Sequence, residues 1–225
     1  MSPSGGIDSA DAELRAELVA TARAMCAARL NTGTAGNASV RTSGGMLITP
    51  SGLVPDAYAP DDMVVVAPSG RPGGRLAPSS EWRLHNDLYA HRPEAGAIIH
   101  AHAPFATALA CKRLEIPPFH YMIARFGGST VRCAKYATFG TQALSDHIRA
   151  AMTDRSACLM ANHGMLVFGR NLANALALAI EFETLCEQYW RVRQLGKPVL
   201  LSDDEMCEVV ERFRWYGKPA EQLPE

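Results

Sequence analysis

Ala97-Ile98-Ile99-His100-Ala101-His102-Ala103-Pro104 is the stretch on which the chain's fold turns. Small and β-branched residues followed by a proline spell a buried strand and its stop. Residues two apart on a strand point the same way, so His100 and His102 project side by side from one face. Two imidazoles so placed can hold one metal ion. A third, His163, stands in Ala161-Asn162-His163-Gly164, beside the apolar run Cys158-Leu159-Met160. Three histidines from two strand-like segments make a candidate zinc site with an open fourth position, so metal-assisted chemistry is expected. A lone histidine is more often a hydrogen-bonded core residue, and spacing alone leaves open whether the three converge. His85, His91, His120 and His147 lack such a setting and read mostly as surface or helix residues.

Working outward, Ser9 or Asp11 caps a helix running to about Leu30, with Leu14, Leu18 and Met25 on one face. The glycine-rich turn 33–37 leads to a short strand, 38–41. Gly44-Gly45 turns it into a second strand, 46–49, which Pro50-Ser51-Gly52 breaks. Met63–Ala67 is a third strand, and the Gly- and Pro-rich residues 68–78 form a surface turn or hairpin. Ser79-Ser80 caps a helix from about Glu81 to His91. After the histidine strand, a helix starts near Pro104. Residues 114–140 are irregular with short strands, and Thr141–Met152 is helical. Strands 157–161 and 165–168 flank Asn162-His163-Gly164. Leu172–Leu195 is the longest helix, and a last one runs from Ser202 to about Tyr216 with acidic residues in its first turn. The expected fold is α/β: a single-domain α/β/α sandwich whose mixed, largely antiparallel sheet is covered by helices. Residues 9–217 would form it, between loose tails at 1–8 and 218–225.

Composition narrows the class. The 225 residues are 48% hydrophobic and 20% charged with a formal net charge of −1, so no global field favours nucleic acid or an anionic membrane. No apolar run reaches the roughly 18 residues of a membrane span, and the first residues lack the pattern of a signal peptide. The six cysteines include no C-x-x-C pair and read as reduced core residues of a cytoplasmic protein.

Three further groups of residues carry possible chemistry. Glu81 lies in the first turn of its helix, where a carboxylate is usually there for the helix dipole. Near a metal it can instead be a displaceable ligand or a general base. Thr34 to Asn37, Thr49 to Gly52 and Ser79-Ser80 offer backbone N–H groups and hydroxyls at turns. Such groups bind phosphate, although each segment alone is also ordinary turn sequence. No P-loop or G-x-G-x-x-G is present, so nucleotide binding is not indicated. Tyr121 and Tyr216 are candidate proton donors, or packing residues.

In this order the segments resemble the class II aldolase/adducin family, and within it the aldolases that cleave L-fuculose 1-phosphate. The likeness spans about residues 10–217. It is carried by Gly36-Asn37-Ala38-Ser39-Val40-Arg41, Leu47 to Gly52, Pro78-Ser79-Ser80-Glu81-Trp82-Arg83 and His100-Ala101-His102. It continues through His120-Tyr121-Met122-Ile123, Tyr136 to Gly140, Asn162-His163-Gly164 and Phe213 to Gly217. The resemblance implies that His100, His102 and His163 bind one Zn2+ per subunit, with Glu81 as a fourth ligand and as the acid–base group. It implies that Asn37, Ser51, Gly52, Ser79 and Ser80 hold the substrate phosphate. Tyr121 would donate a proton across a subunit interface, and Tyr216 would help close the site. A fourfold homotetramer is implied, cleaving a ketose 1-phosphate to dihydroxyacetone phosphate and a short aldehyde such as L-lactaldehyde. Met160-Ala161-Asn162 and Arg125-Phe126-Gly127-Gly128 depart from the fuculose-cleaving pattern and bear on the aldehyde. The alternatives are a 5-deoxy- or 5-methylthio-pentulose-1-phosphate aldolase, a pentulose-phosphate 4-epimerase (which carries aspartate in place of Glu81), a dehydratase, and a non-catalytic adducin-like module.

Overall fold

A computed structural model describes residues 9–213. In chain order the elements are α1 (Ser9–Ala27), β1 (Asn37–Thr42), β2 (Gly45–Ile48), β3 (Val64–Val66), β4 (Pro72–Gly73), α2 (Trp82–His91), β5 (Ala97–Ala101) and α3 (Pro104–Cys111). They continue with β6 (Cys133–Ala134), α4 (Gln142–Ala151), β7 (Ala157–Met160), β8 (Gly164–Gly169), α5 (Leu172–Leu195) and α6 (Asp203–Phe213). Short 3-10 turns cover Pro55–Ala57, Pro60–Asp62 and Tyr121–Phe126. The eight strands form one sheet in the order β4-β3-β2-β1-β5-β8-β7-β6. Every neighbouring pair is antiparallel except β6 with β7. The α/β/α sandwich with a mixed, mainly antiparallel sheet is therefore the fold.

Alternation along the strands builds two cores. On β5, Ala97, Ile99 and Ala101 face a core shared with α1, α3 and α5, whereas Ile98 faces a second core shared with α2 and α4. Ile98 and Ile99 are both fully buried, which stabilises the sheet by about 1.5–3 kcal/mol each. On β1, Ala38 and Val40 belong to the first core. Asn37 and Ser39 alternate with them and are buried on the opposite, α2-facing side. Asn37 pairs in register with His100 of β5, so the sheet itself places these two side chains next to each other.

Several boundaries differ from expectation. Helix α1 ends at Ala27, not Leu30. Arg29 takes a left-handed φ of 59°, Leu30 N–H donates to Met25 O and Arg29 N–H to Cys26 O, which is a Schellman-type stop without glycine. Glu81 sits at the N-cap of α2 and makes no capping hydrogen bond, so it is not a first-turn residue. Helix α6 starts at Asp203, one residue after the expected Ser202, and reaches the last described residue, Phe213. The predicted continuation to Tyr216 lies outside the described residues.

Candidate metal centre and cleft

Four side chains converge at the ends of three elements. His100 is the fourth residue of β5, His102 lies just past that strand, His163 fills the tight turn between β7 and β8, and Glu81 immediately precedes α2. Their ligand atoms all fall within 4.8 Å of one another. The ring centroids of the three histidines are 4.8–4.9 Å apart and the ring planes 70–81° from each other, so the rings stand around a common centre. His100 Nε2 lies 3.0 Å from His102 Nε2 and 3.0 Å from Glu81 Oε2, and His163 Nε2 lies 3.3 Å from Glu81 Oε1.

Hydrogen-bond logic decides what these atoms present. His100 Nδ1 faces the Met165 carbonyl at 2.9 Å. A carbonyl only accepts, so Nδ1 carries the hydrogen and a neutral His100 turns a bare Nε2 inward. That lone pair faces another imidazole nitrogen and a carboxylate, an arrangement that calls for positive charge between them. Glu81 Oε1 is buried and accepts no hydrogen bond. Nitrogens bound at about 2.0–2.1 Å to a tetrahedral ion stand about 3.3 Å apart, close to the spacings here. The residues present therefore fit a divalent ion.

The electrostatics agree. Burial raises the Glu81 carboxyl, but His100, then His163 and the Asn37 amide, outweigh it and hold the group well below the usual carboxylate range. Burial pushes the imidazoles of His102 and His163 down to about 4, reinforced by the neighbouring His100. Burial also opposes charge on His100, yet the facing Glu81 carboxylate wins and raises it. Two neutral imidazoles and a carboxylate are the protonation states in which these groups bind a metal.

Above the cluster opens a cleft of about 360 Å³. Its walls include Thr34 to Asn37, Ser51, Gly52, Ser79, Ser80, Glu81, His102 and His163, with Tyr136, Ala137 and Phe139 at one side. The two serine loops are tied by Ser51 N–H to Ala77 O and Ser79 N–H to Thr49 O, both 3.0 Å. Gly52 has φ +78° in open space, a conformation few other residues adopt without strain. Asn31 braces the floor. Its Oδ1 accepts the His102 N–H at 3.0 Å, and its side chain fills the space a Cβ on Gly36 would need.

The structure thus brings Asn37, Ser51, Gly52, Ser79, Ser80, Glu81, His102 and His163 to one cleft, with His100 buried beneath. Tyr121 is not brought there. It is 50% exposed and its ring stacks on His120 and Phe213, away from the cleft of this chain. Tyr216 lies outside the described residues.

His85 lies on helix α2, within the reading of surface or helix residues, but it is not at the surface. It is fully buried. Its Nε2 lies 2.5 Å from Asn37 Oδ1 and its Nδ1 2.7 Å from Ser39 Oγ. Asn37 Nδ2 in turn donates to Glu81 Oε2 at 3.1 Å, and Ser39 Oγ pairs with Tyr89 OH at 2.9 Å. A signal was available: Glu81, His85 and Tyr89 recur every fourth residue, one stripe of a helix.

Known proteins place this fold in a family. The Class II Aldolase and Adducin N-terminal domain family matches residues 16–190, and the chain belongs to that family. Its catalytic members at high identity make it a class II aldolase, a metal-dependent lyase acting on phosphorylated sugars. The 5-methylthioribulose-1-phosphate/5-deoxyribulose-1-phosphate aldolase of Rhodospirillum rubrum is 52% identical over 211 residues, covering 94% of this chain and 95% of that one. The L-fuculose phosphate aldolase of Escherichia coli is 41% identical over 211 residues, covering 93% and 98%. A solved L-fuculose 1-phosphate aldolase superimposes with a TM-score of 0.87 at 40% identity, covering 90% of this chain and 96% of that one.

Proposed function

We propose that this aldolase cleaves 5-deoxy- or 5-methylthio-pentulose 1-phosphates in preference to L-fuculose 1-phosphate. The convergence of His100, His102, His163 and Glu81 under a cleft floored by hydroxyls and backbone N–H groups carries the chemistry. One observation supports the substrate: the greater identity to the R. rubrum enzyme than to the E. coli one.

In this reading Ser51, Gly52, Ser79, Ser80 and Asn37 take the phosphate through hydroxyls, backbone N–H groups and an amide. His100, His102, His163 and Glu81 would hold a Zn2+ ion, which would supply Lewis acidity toward the substrate oxygens. Cleavage breaks the C3–C4 bond. The C4 hydroxyl gives up its proton and becomes the aldehyde carbonyl, and the bonding pair passes to C3 and is shared with the C2 oxygen. Glu81 delivers a proton to C3, completing dihydroxyacetone phosphate, and takes it back in the synthetic direction. Its carboxylate lies beside the imidazoles and lines the cleft, so it can serve as ligand and then as base. Tyr121 exchanges the C4-oxygen proton in the cleft of a neighbouring copy, since it faces away from its own, and Tyr216 closes over the aldehyde. The family resemblance, with sites between subunits, makes a fourfold homotetramer the assembly expected for this role.

The test is dihydroxyacetone phosphate release from a panel of ketose 1-phosphates, using zinc-loaded protein whose mass is read by light scattering. We expect a tetramer, and kcat/KM at least about tenfold higher for the two pentulose phosphates than for L-fuculose 1-phosphate. The reverse order would overturn the preference, and a fully active monomer would overturn the role given to Tyr121.

A further inference from the structure

The stripe Glu81, His85, Tyr89 on α2 faces the alternating set Asn37, Ser39, Arg41 on β1. Four residues of helix rise about 6 Å and two residues of strand about 6.7 Å, so the two repeats mesh step for step. Glu81 meets Asn37, His85 meets Asn37 and Ser39, and Tyr89 meets Ser39 with Arg41 over its ring at 4.7 Å. All the hydrogen-bonded members are buried.

The donors and acceptors in this file can be ordered in one direction only. An ionised Glu81 only accepts, so Asn37 must turn its NH2 toward it. Asn37 Oδ1 then faces His85 Nε2, which must carry a hydrogen. A neutral His85 is left with a bare Nδ1, which must accept from the Ser39 hydroxyl, and Ser39 must accept from Tyr89. Every hydrogen points toward Glu81. We propose that His85 is a positioning residue of this aldolase: backed by Ser39 and Tyr89, it locks the Asn37 amide with its NH2 group toward Glu81. One hydrogen of that NH2 steadies the carboxylate, and Asn37 also lines the cleft, so a single amide registers the base against the substrate phosphate. The proposal rests on the assignment of Glu81 as the base and of Asn37 as a phosphate contact.

The experiment compares zinc-loaded wild type, H85F and H85Q. A glutamine amide can replace the Nε2 hydrogen and a phenylalanine cannot, although both fill the space. H85F is expected to lose about 10- to 100-fold in zinc affinity and in exchange of the dihydroxyacetone phosphate C3 proton, and H85Q to recover most of both. Nitrogen-15 NMR of labelled histidine is expected to show His85 in the wild type with hydrogen on Nε2 and none on Nδ1. Equal impairment of H85F and H85Q, no impairment in either, or hydrogen on Nδ1 would overturn the proposal. If H85F does not fold, the tautomer and the graded losses in S39A and Y89F, larger in the first, decide in its place. Absence of proton exchange in the wild type would overturn the function of Glu81 instead, and the zinc affinities and the tautomer would still test the positioning role.

Discussion

At the scale of single residues, Glu81 has two oxygens in two settings. Oε2 is held by Asn37 and His100, whereas Oε1 accepts nothing and faces His163. An oxygen without a donor is free to exchange a metal for a substrate proton. Glu81→Gln is therefore expected to fold and keep zinc while losing about 10²- to 10⁴-fold in proton exchange at dihydroxyacetone phosphate. Isotope exchange alongside metal analysis checks both halves. His102→Ala is expected to lose metal and activity together, and bound zinc at wild-type stoichiometry would contradict the ligand assignment. The histidine triad was legible in the sequence because two of its members obey strand alternation and the third sits in a glycine turn. His85 was legible only in part: its stripe with Glu81 and Tyr89 is local, but its partners Asn37 and Ser39 lie 48 and 46 residues away. No local pattern announces such partners.

Elements explain how the ligands reach one another. Strands β5 and β8 are paired from Ala97 with Gly169 to Ala101 with Met165, which sets His102 against the β7–β8 turn that carries His163. Gly164 closes that approach. A Cβ there would come within 2.4 Å of Ala101 O and 3.2 Å of His102 Cδ2. Gly164→Ala must therefore push β8 off β5 at the point where the ligands meet. We expect a loss of about 1–3 kcal/mol in urea unfolding together with weaker zinc binding; unchanged zinc affinity would show that the turn does not set the ligand geometry. Strand and helix identities followed from periodicity. Their ends did not, because the end of α1 is set by a non-glycine residue in a left-handed conformation, and the start of α2 by a glutamate recruited away from the cap.

The whole molecule carries a pH dependence that follows from the histidines in and beside the cluster. Burial, then the neighbouring charge of His100, pushes His85 down to about 3 from the ordinary 6.5. Below 6.5 the unfolded chain takes up a proton that the folded chain refuses, so stability falls as pH drops from 6.5 toward 3. His102 and His163, lowered to about 4, act with the same sign. Glu81, also lowered, contributes stability above its ordinary value that is lost as pH falls through the folded one. His100 is raised and opposes them: its contribution is complete below 6.5 and fades as pH rises. The lowered groups outnumber it. The metal-free protein should therefore unfold more easily as pH falls below 6.5, the fully buried His85 alone costing about 1.4 kcal/mol per pH unit. H85Q, with no titrating ring, should flatten that slope in urea melts, and an unchanged slope would count against His85 as a source. The two outermost strands, β4 and β6, are each two residues long, and β4 contains Pro72. A proline offers no N–H and two residues give little template. Further chains therefore find no rail on which to add, and crowded solutions of the enzyme should resist fibre growth through this sheet.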